Sequence, residues 1–278
     1  MLPRTIALGL VMTAGLVTAS LAQSPDYRFV RMTPFEPFNT PVPTSVYSEA
    51  SLNDSGTVAF TTQRMGTDRA VVVSDGTSLT TVADTAGPFE AFGIPAINSS
   101  SQVSFRAILD AGPDAIVFGT EGLITTLSSA NSLYDAFGNV TSINDSGTVA
   151  FSADIGPNDS SITVFDGSAF TSIEDETGSF GFFANPAINS SGQVVYVAVA
   201  DEIIGGIRNS ALRFFDGSSV ATIADNSGAF DAISDFSLNN LGDIAYVASL
   251  GMGNTALYLF DGLSSQLIAD IHGPTLHF

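Results

Sequence analysis

The sequence predicts an all-β protein, a five-bladed β-propeller made of four-stranded antiparallel blades. The pattern N-x-x-G-x-x-x-[FY] recurs five times with some drift, and its asparagines lie 45, 46, 45 and 50 residues apart. A second motif, ending in an Asp-Gly or Glu-Gly turn, alternates with the first. The chain is 45% hydrophobic with a mean hydropathy of +0.31. Such a composition is expected where stacked blades bury both faces of every sheet.

The first motif predicts a tight turn between two strands. The clearest copies are "SLNDSGTVAF", which begins at Ser51, and "SINDSGTVAF", which begins at Ser142. The Asn side chain can cap a β-turn, and the Gly three residues later accepts a positive φ. The next residues alternate between a β-branched residue, a mostly small one and an aromatic one, as in a strand with two faces. The turn residues predicted in this way are Asn53, Gly56, Asn98, Asn144, Gly147, Asn189, Gly192, Asn239 and Gly242.

Each period of about 45 residues holds two hairpins and therefore four short strands, because the Asp-Gly pairs favour hairpin turns. The expected blades span residues 45–84, 90–129, 136–174, 182–225 and 232–270. Residues 28–38, "RFVRMTPFEPF", look like one more outer strand and connection. We expect residues 27–44 to close the ring by joining the last blade, or to cover its edge. A six-bladed ring with an incomplete blade is the alternative.

The N-terminus and the charge predict an exported protein. Residues 1–22 have a basic start at Arg4, an apolar run and a small-x-small ending at Ala22, which is typical of a signal peptide. Residues 23–278 then form a single domain, extracellular or periplasmic and expected to be monomeric. The formal net charge is −20. Such a field disfavours nucleic acid and anionic lipid as partners, and we expect no membrane insertion after signal removal.

The five evenly spaced copies of N-x-x-G-x-x-x-[FY] behind a signal peptide resemble the bacterial exported proteins called choice-of-anchor tandem-repeat N-x-x-G-x-x-x-F proteins. The blade pattern is also similar, more distantly, to TolB-type propellers. Members of the first group often end in a sorting anchor, whereas this chain ends "IADIHGPTLHF". Release or periplasmic residence is therefore expected rather than surface sorting. The resemblance implies no enzymatic activity.

Candidate catalytic residues are few. His272 and His277, the only histidines, lie near the end of the chain, where a nucleophilic triad is not expected. A glycosidase needs two carboxylates roughly 5–10 Å apart. Among the predicted inner strands, only the first and fifth carry acids, Glu49 and Asp235, and a closed ring makes these blades neighbours. An enzyme that acts on carbohydrate is therefore the alternative to our first hypothesis.

That first hypothesis is a non-enzymatic repeat protein whose loop-rich face binds a glycan, a matrix polymer or a surface protein. Loops of variable length on a rigid scaffold commonly carry function. The acids predicted on this face are Glu90, Asp110, Asp114, Asp135, Asp154, Asp159, Asp201, Glu202 and Asp231. Crowded carboxylates favour a hard cation with oxygen ligands, so a weak Ca²⁺ site is a second expectation, against a solvated acidic rim and no cofactor. Its candidate ligands are Asp84, Glu90, Asp175, Asp225 and Asp231.

Overall fold

The computed structural model describes residues 45–46, 49–63, 68–130, 134–156, 159–204, 207–228, 230–251 and 254–270. All of them belong to one unit, Arg31–Phe278. They form five antiparallel sheets, which are the five blades of a β-propeller. The signal peptide predicted at residues 1–22, the closing segment at 27–44 and both histidines lie outside the described residues.

The strands follow the chain order within each blade. Blade 1 contains β1 (Ser45–Val46), β2 (Ser51–Leu52), β3 (Val58–Gln63), β4 (Arg69–Ser74) and β5 (Leu79–Asp84). Blade 2 contains β6 (Phe89–Phe92), β7 (Ala96–Ile97), β8 (Val103–Leu109), β9 (Asp114–Thr120) and β10 (Leu123–Ser129). Blade 3 contains β11 (Ala136–Ile143), β12 (Val149–Gly156), β13 (Asp159–Phe165) and β14 (Phe170–Asp175). Blade 4 contains β15 (Phe182–Ile188), β16 (Val194–Ile204), β17 (Ile207–Phe215) and β18 (Val220–Asp225). Blade 5 contains β19 (Ala232–Leu238), β20 (Ile244–Gly251), β21 (Asn254–Phe260) and β22 (Ser265–Asp270).

Every blade is a meander in which each strand pairs with the next one, and the innermost strand of blades 1 and 2 is split into two short pieces. The hydrophobic alternation of the repeats therefore becomes two apolar faces per blade. Among the described residues, no helix is long and apolar enough to cross a membrane.

The turn between the first two strands of each blade has the geometry that its sequence favours. In blade 1, the Asn53 side-chain oxygen accepts hydrogen bonds from the Ser55 N–H at 3.2 Å and the Thr57 N–H at 2.8 Å. Gly56 closes the turn with a φ of +84°, a region that favours glycine. Blade 2 has Ser101 instead, with a φ of +59°. Its sequence copy had lost the glycine, and its backbone retains the same left-handed conformation.

The core contains four apolar layers, one between each pair of successive blades, and a smaller cluster on blade 1 around Phe60, Ala70 and Val72. Each layer combines the motif aromatic of one blade with aliphatic residues of the preceding blade. The motif aromatics that pack against a preceding blade are Phe105, Phe151, Tyr196 and Tyr246. A single blade could not bury these faces, and for this reason the sequence repeats the same segment.

A chain of hydrogen bonds joins the blades near the axis. The Asn53 side-chain nitrogen donates to the Asn98 carbonyl at 2.9 Å, and Asn98 donates to Asn144 at 3.0 Å. Asn144 donates to Asn189, and Asn189 to Asn239, each at 3.0 Å. We call this chain the asparagine ladder. The motif Asn thus shapes its own turn with one side-chain atom and binds the next blade with the other.

Candidate functional site: the axial cavity

A cavity of about 480 Å³ lies among the inner strands and is lined by residues from all five blades. Its size is in the range of pockets that bind small molecules, roughly 300–1,000 Å³. The lining residues are Glu49, Ile94, Asn139, Val140, Asn185, Pro186, Ala187, Asp235 and Phe236. We call it the axial cavity.

One position of the repeat supplies a lining residue from every blade. This position lies four residues before the motif Asn and is occupied by Glu49, Ile94, Val140, Asn185 and Asp235. The motif Asn is the same in every blade, whereas this position holds two acids, an amide and two aliphatic residues, and the position after it varies as well, with Ala50, Pro95, Thr141, Pro186 and Phe236. Such variation on a constant frame is expected of a position that contacts a ligand rather than one that stabilises the blade.

Local irregularity of the inner strands explains why this position faces the axis. The register of the pairing shifts between Phe137 and Thr141 in blade 3, and there are similar shifts at 184–187 in blade 4 and 233–236 in blade 5. In blades 1 and 2 the corresponding described residues, 49–50 and 93–95, lie between two short strands. β-Bulges redirect side chains and are frequent beside functional sites. The sequence shows the repeat position but gives no sign of the bulge.

The wall between blades 2 and 3 is held by backbone contacts. The Ile94 N–H donates to the Asn139 carbonyl at 3.0 Å, and Ile94 and Val140 form a parallel bridge. A Cβ atom added at Gly93 would lie only 2.5 Å from the Asn139 carbonyl oxygen, so this close approach requires glycine. In blade 4, Asn185 has a φ of +53°. A non-glycine residue in the left-handed region is uncommon and is found most often at turns and functional sites.

The lining of the cavity is acidic on the side of blades 1 and 5 and combines amide and apolar side chains elsewhere. Glu49 and Asp235 are exposed to solvent and border the cavity from blades 1 and 5. Among the residues that the structure describes, the lining includes two carboxylates and two amides, and no cationic side chain. Ile94, Val140 and Phe236 supply apolar surface. The structure thus places both predicted carboxylates at one cavity, together with Asn139, Asn185 and Phe236, which sequence reasoning missed.

At the end of the axis where the N-x-x-G turns lie, polar groups of neighbouring blades form hydrogen bonds with one another. A smaller cavity of about 120 Å³ there is lined by motif turn residues, including Asn53, Asn98 and Asn144. Asp145 accepts hydrogen bonds from the Ser99 N–H at 2.9 Å and the Ser190 hydroxyl at 3.3 Å. The Ser99 bonds hold the pKa of Asp145 below its usual value. The asparagine ladder and these contacts explain why the same polar residues recur in the turns of all five blades, and no ligand is needed to explain them.

The acids predicted on the loop-rich face differ in their partners and in their exposure to solvent. Asp114 is paired with Arg106, so its charge is already compensated. Partial burial, and then repulsion from Asp135, raise the pKa of Asp154. Glu90, Asp110 and Asp231 are exposed, Asp159 is half-buried, and the side chains of Asp201 and Glu202 lie outside the described residues.

Three of the five predicted Ca²⁺ ligands accept hydrogen bonds from nearby backbone N–H groups. Asp84 accepts a hydrogen bond from the Ala86 N–H, Asp175 from Thr177 and Asp225 from Ser227. These carboxylates cap the turns that leave the outermost strands. Within the part of the chain that the structure describes, no three acidic, His or Cys side chains are grouped so that they could hold a metal ion. A Ca²⁺ site therefore remains a prediction from the sequence.

A partly buried ion pair lies between blades 3 and 4, away from the cavity. The Arg213 guanidinium donates to Glu174 at 2.6 Å and 3.1 Å, the Tyr196 hydroxyl donates to Glu174, and Arg213 lies 5.2 Å from the centre of the Phe180 ring. Each polar group has a partner, so this cluster is a packing feature. Burial and the Glu174 carboxylate raise the pKa of Tyr196.

Comparison with known proteins places the fold but not the family. No protein-family model matches the chain, and no curated protein matches it. Among solved structures, an oligogalacturonate lyase from Vibrio parahaemolyticus is similar, with a TM-score of 0.60 and 12% identity over 85% of this chain and 68% of that one. TolB from Acinetobacter baumannii has a TM-score of 0.53 and 15% identity over 80% of this chain.

A fucose-specific lectin from Aleuria aurantia is also similar, with a TM-score of 0.50 and 12% identity over 80% of this chain and 76% of that one. This chain spans 53% of the length of the Acinetobacter protein. Those three proteins comprise a lyase, a lectin and TolB, and at these identities the likeness concerns architecture alone. The chain is a β-propeller, and its function has to be argued from the axial cavity.

Proposed function

We propose that the protein is an exported, non-enzymatic β-propeller that binds a neutral, hydroxyl-rich carbohydrate at the axial cavity. The observation that carries the proposal is the single repeat position that lines this cavity from all five blades and differs in each. Export follows from the signal peptide predicted at residues 1–22, and the N-x-x-G-x-x-x-F repeats support membership of the choice-of-anchor tandem-repeat group.

The chemistry of the lining suits such a ligand. Carboxylates accept hydrogen bonds from sugar hydroxyls, and Asn139 and Asn185 can both donate and accept. Hydrogen bonds to a charged acceptor contribute more than neutral ones, about 1.5–3 kcal/mol each. Ile94, Val140 and Phe236 offer apolar surface to the C–H faces of a sugar ring. The described lining residues include two carboxylates and no cationic side chain, which disfavours an anionic polysaccharide.

A glycan array followed by calorimetry on the best ligand tests this proposal. Glu49→Gln and Asp235→Asn keep the size of each side chain and remove its charge. We expect each to weaken binding at least tenfold, which corresponds to about 1.4 kcal/mol. Glu90→Gln is the matched control, because it removes one exposed carboxylate from β6 rather than from the cavity lining. Equal affinities of all three variants and the parent would exclude the axial cavity as the site.

The second candidate function is a carbohydrate-cleaving enzyme in which Glu49 and Asp235 act as the acid and base. The observation that favours it is the presence of both carboxylates at one cavity, and a lyase is among the similar structures. In that case Glu49→Gln abolishes turnover of a neutral oligosaccharide while its binding is retained. Binding without product formation over many hours by the parent protein favours the non-enzymatic function.

A further inference from the structure

The inner strand of blade 4, β15, departs from the repeat at two places. At the start of the inner strands of blades 2 to 5, the sequence reads "FEAF", "YDAF", "FGFF" and "FDAI". The third residue of this element is alanine in blades 2, 3 and 5 and Phe182 in blade 4. Three residues further along β15 lies Asn185, which lines the axial cavity. Both departures therefore fall on one strand, in or beside the candidate site.

Phe182 is an exposed aromatic residue that contributes little to the core. Its side chain is 51% exposed, whereas its neighbour Phe183 is 1% exposed and packs in the layer between blades 3 and 4. Successive side chains of a strand point to opposite faces, so Phe182 lies on the face turned away from blade 3. Within the described chain, its ring contacts no other aromatic ring. Because alanine occupies the same position in three other blades, the phenyl ring is surplus to the structure of the blade.

The backbone of Asn185 has an uncommon conformation that the repeat does not require. Asn185 and Ser101 are the two non-glycine residues of the described chain with a positive φ. Ser101 stands in the place of a turn glycine, which accounts for its conformation. Asn185 has a φ of +53° and precedes Pro186, although a residue before proline favours an extended backbone. In the other four blades, the residue at the same repeat position has no positive φ. Such conformations are costly and are concentrated at functional sites.

The amide of Asn185 is available to a ligand. The asparagines of the ladder use their side chains in their own turn and in the next blade. The Asn185 side chain, by contrast, is exposed and forms no hydrogen bond to any described residue. An amide can donate two hydrogen bonds and accept two, which suits neighbouring hydroxyl groups on a sugar ring. The left-handed backbone thus presents an unused amide to the axial cavity.

Phe182 lies between this amide and the loop-rich face. β15 begins at the loop-rich face and ends at the N-x-x-G turn, since Asn189 follows it directly. The three residues of strand from Phe182 to Asn185 span about 10 Å, which is longer than one sugar ring. Ala232 occupies the same repeat position in blade 5 and is exposed, so a small side chain lies at the level of the phenyl ring in the next blade. A ligand that contacts both residues therefore extends beyond a single sugar unit.

We infer that β15 is the recognition strand of the axial cavity and that the ligand is a neutral oligosaccharide. One sugar unit binds Asn185 in the cavity, and the following units stack on Phe182 on the way to the loop-rich face. This inference rests on the carbohydrate-binding function proposed above and adds the length and the direction of the ligand. The C–H groups of a sugar ring are slightly positive and are attracted to the negative face of an aromatic ring. The contact also removes apolar surface of the ring from water.

Calorimetry with neutral oligosaccharides of increasing length tests the inference. The probes are cello-, manno- and malto-oligosaccharides, each from the monosaccharide to the hexasaccharide. Phe182→Ala introduces the residue that three other blades have at this position, and Asn185→Gly keeps the left-handed backbone while it removes the amide. Leu263→Ala is the matched control, because Leu263 is 93% exposed in the Asp-Gly turn of blade 5, at the end opposite to the loop-rich face.

For the series that binds, we expect the affinity of the parent protein to rise about tenfold or more from the monosaccharide to the tetrasaccharide. Phe182→Ala should remove this gain and leave the affinity for the monosaccharide unchanged. Asn185→Gly should weaken the binding of every length about tenfold or more without lowering the melting temperature. Leu263→Ala should change neither the affinities nor their dependence on length.

An affinity that does not depend on length, or a gain that Phe182→Ala retains, overturns the inference. If Glu49→Gln still weakens binding in that case, the proposed function stands without it. A lower melting temperature with unchanged affinity for Asn185→Gly would give Asn185 a structural role and also overturn the inference. If the parent protein binds none of the three series, the inference falls together with the proposed function for these carbohydrates.

Discussion

At the residue scale, small differences between repeats separate structural roles from functional ones. The motif Asn and Gly are retained because each turn needs a side-chain acceptor and a positive φ. In blade 2, Ser101 has a φ of +59°, so the turn keeps its left-handed backbone conformation even where glycine is replaced. Four residues before the same Asn, the residue type is free to vary, and there the repeats build the axial cavity.

The turn glycines offer a clean test of backbone strain. Gly192 has a φ of +79°, and a Cβ atom there would meet nothing within 4 Å. Gly192→Val therefore adds no steric contact but forces a β-branched residue into the left-handed region. We expect the free energy of unfolding, measured by urea denaturation, to fall by about 1–3 kcal/mol.

The matched control is Gly178→Val. Gly178 is also in a turn with open space around it, and its φ is not in the left-handed region. We expect its free energy of unfolding to change by no more than about 0.5 kcal/mol. A loss at position 178 as large as that at position 192 would show that the cost comes from the side chain and not from the backbone.

At the element scale, the sequence was sufficient to predict the hairpins but not the β-bulges in the inner strands. The N-x-x-G and Asp-Gly turns and the alternating residues predict four antiparallel strands per repeat, and the all-β, five-sheet fold is confirmed. Glu49 and Asp235 could be located because they are acids on inner strands. Asn185 and Phe236 could not, because a β-bulge turns them toward the axis and nothing in the local pattern marks a bulge.

The blade-to-blade contacts were also invisible in the sequence. Turn capping already explained the motif Asn completely, so its second hydrogen bond, to the next blade, was not sought. Similarly, the apolar alternation predicts that both faces of a blade are buried, but in the last blade Leu257 and Ile268 are 37% and 52% exposed. The residue pattern of one repeat predicts the strands of that blade, but it does not predict which blade packs against each face.

The asparagine ladder predicts a measurable difference between blades. Asn144→Ala removes the acceptor for the Ser146 and Thr148 N–H groups and also the 3.0 Å bond to the Asn189 carbonyl. Asn239→Ala removes the equivalent turn bonds, to Leu241 and Asp243, and a side-chain bond to Asp243, but no bond to another blade among the described residues. A buried hydrogen bond contributes about 0.5–1.5 kcal/mol, and an unsatisfied buried partner costs more.

We therefore expect Asn144→Ala to lower the free energy of unfolding by about 1–2 kcal/mol more than Asn239→Ala does. Chemical denaturation of the two variants and the parent protein gives both values under one set of conditions. If the two substitutions cost the same, the inter-blade bond contributes nothing and the ladder merely accompanies the packing.

At the scale of the whole molecule, charge and hydrogen bonding oppose each other as the pH changes. The net charge of −20 means that carboxylates repel one another at neutral pH. Yet several of the same carboxylates hold turns together. The Asp of the Asp-Gly turn in four blades accepts hydrogen bonds from backbone N–H groups, and these bonds hold the pKa values of Asp75, Asp166, Asp216 and Asp261 below the usual range. For Asp216 the value is about 2.

The sign of each effect follows from linkage. A carboxylate whose pKa is lowered by folding contributes stability above its unfolded pKa, and that stability is lost as the pH falls toward the folded value. Relief of charge repulsion acts in the opposite direction, because added protons reduce the net negative charge of the folded chain. We expect the melting temperature to rise slightly from pH 7 to about pH 5 and to fall steeply below about pH 4.

Repeating the melts in 0.5 M NaCl separates the two causes, since salt screens long-range repulsion between carboxylates but hardly affects hydrogen bonds at contact distance. The rise should then flatten while the acid fall persists, and a fall that salt removes would mean that the Asp caps do not stabilise the blades.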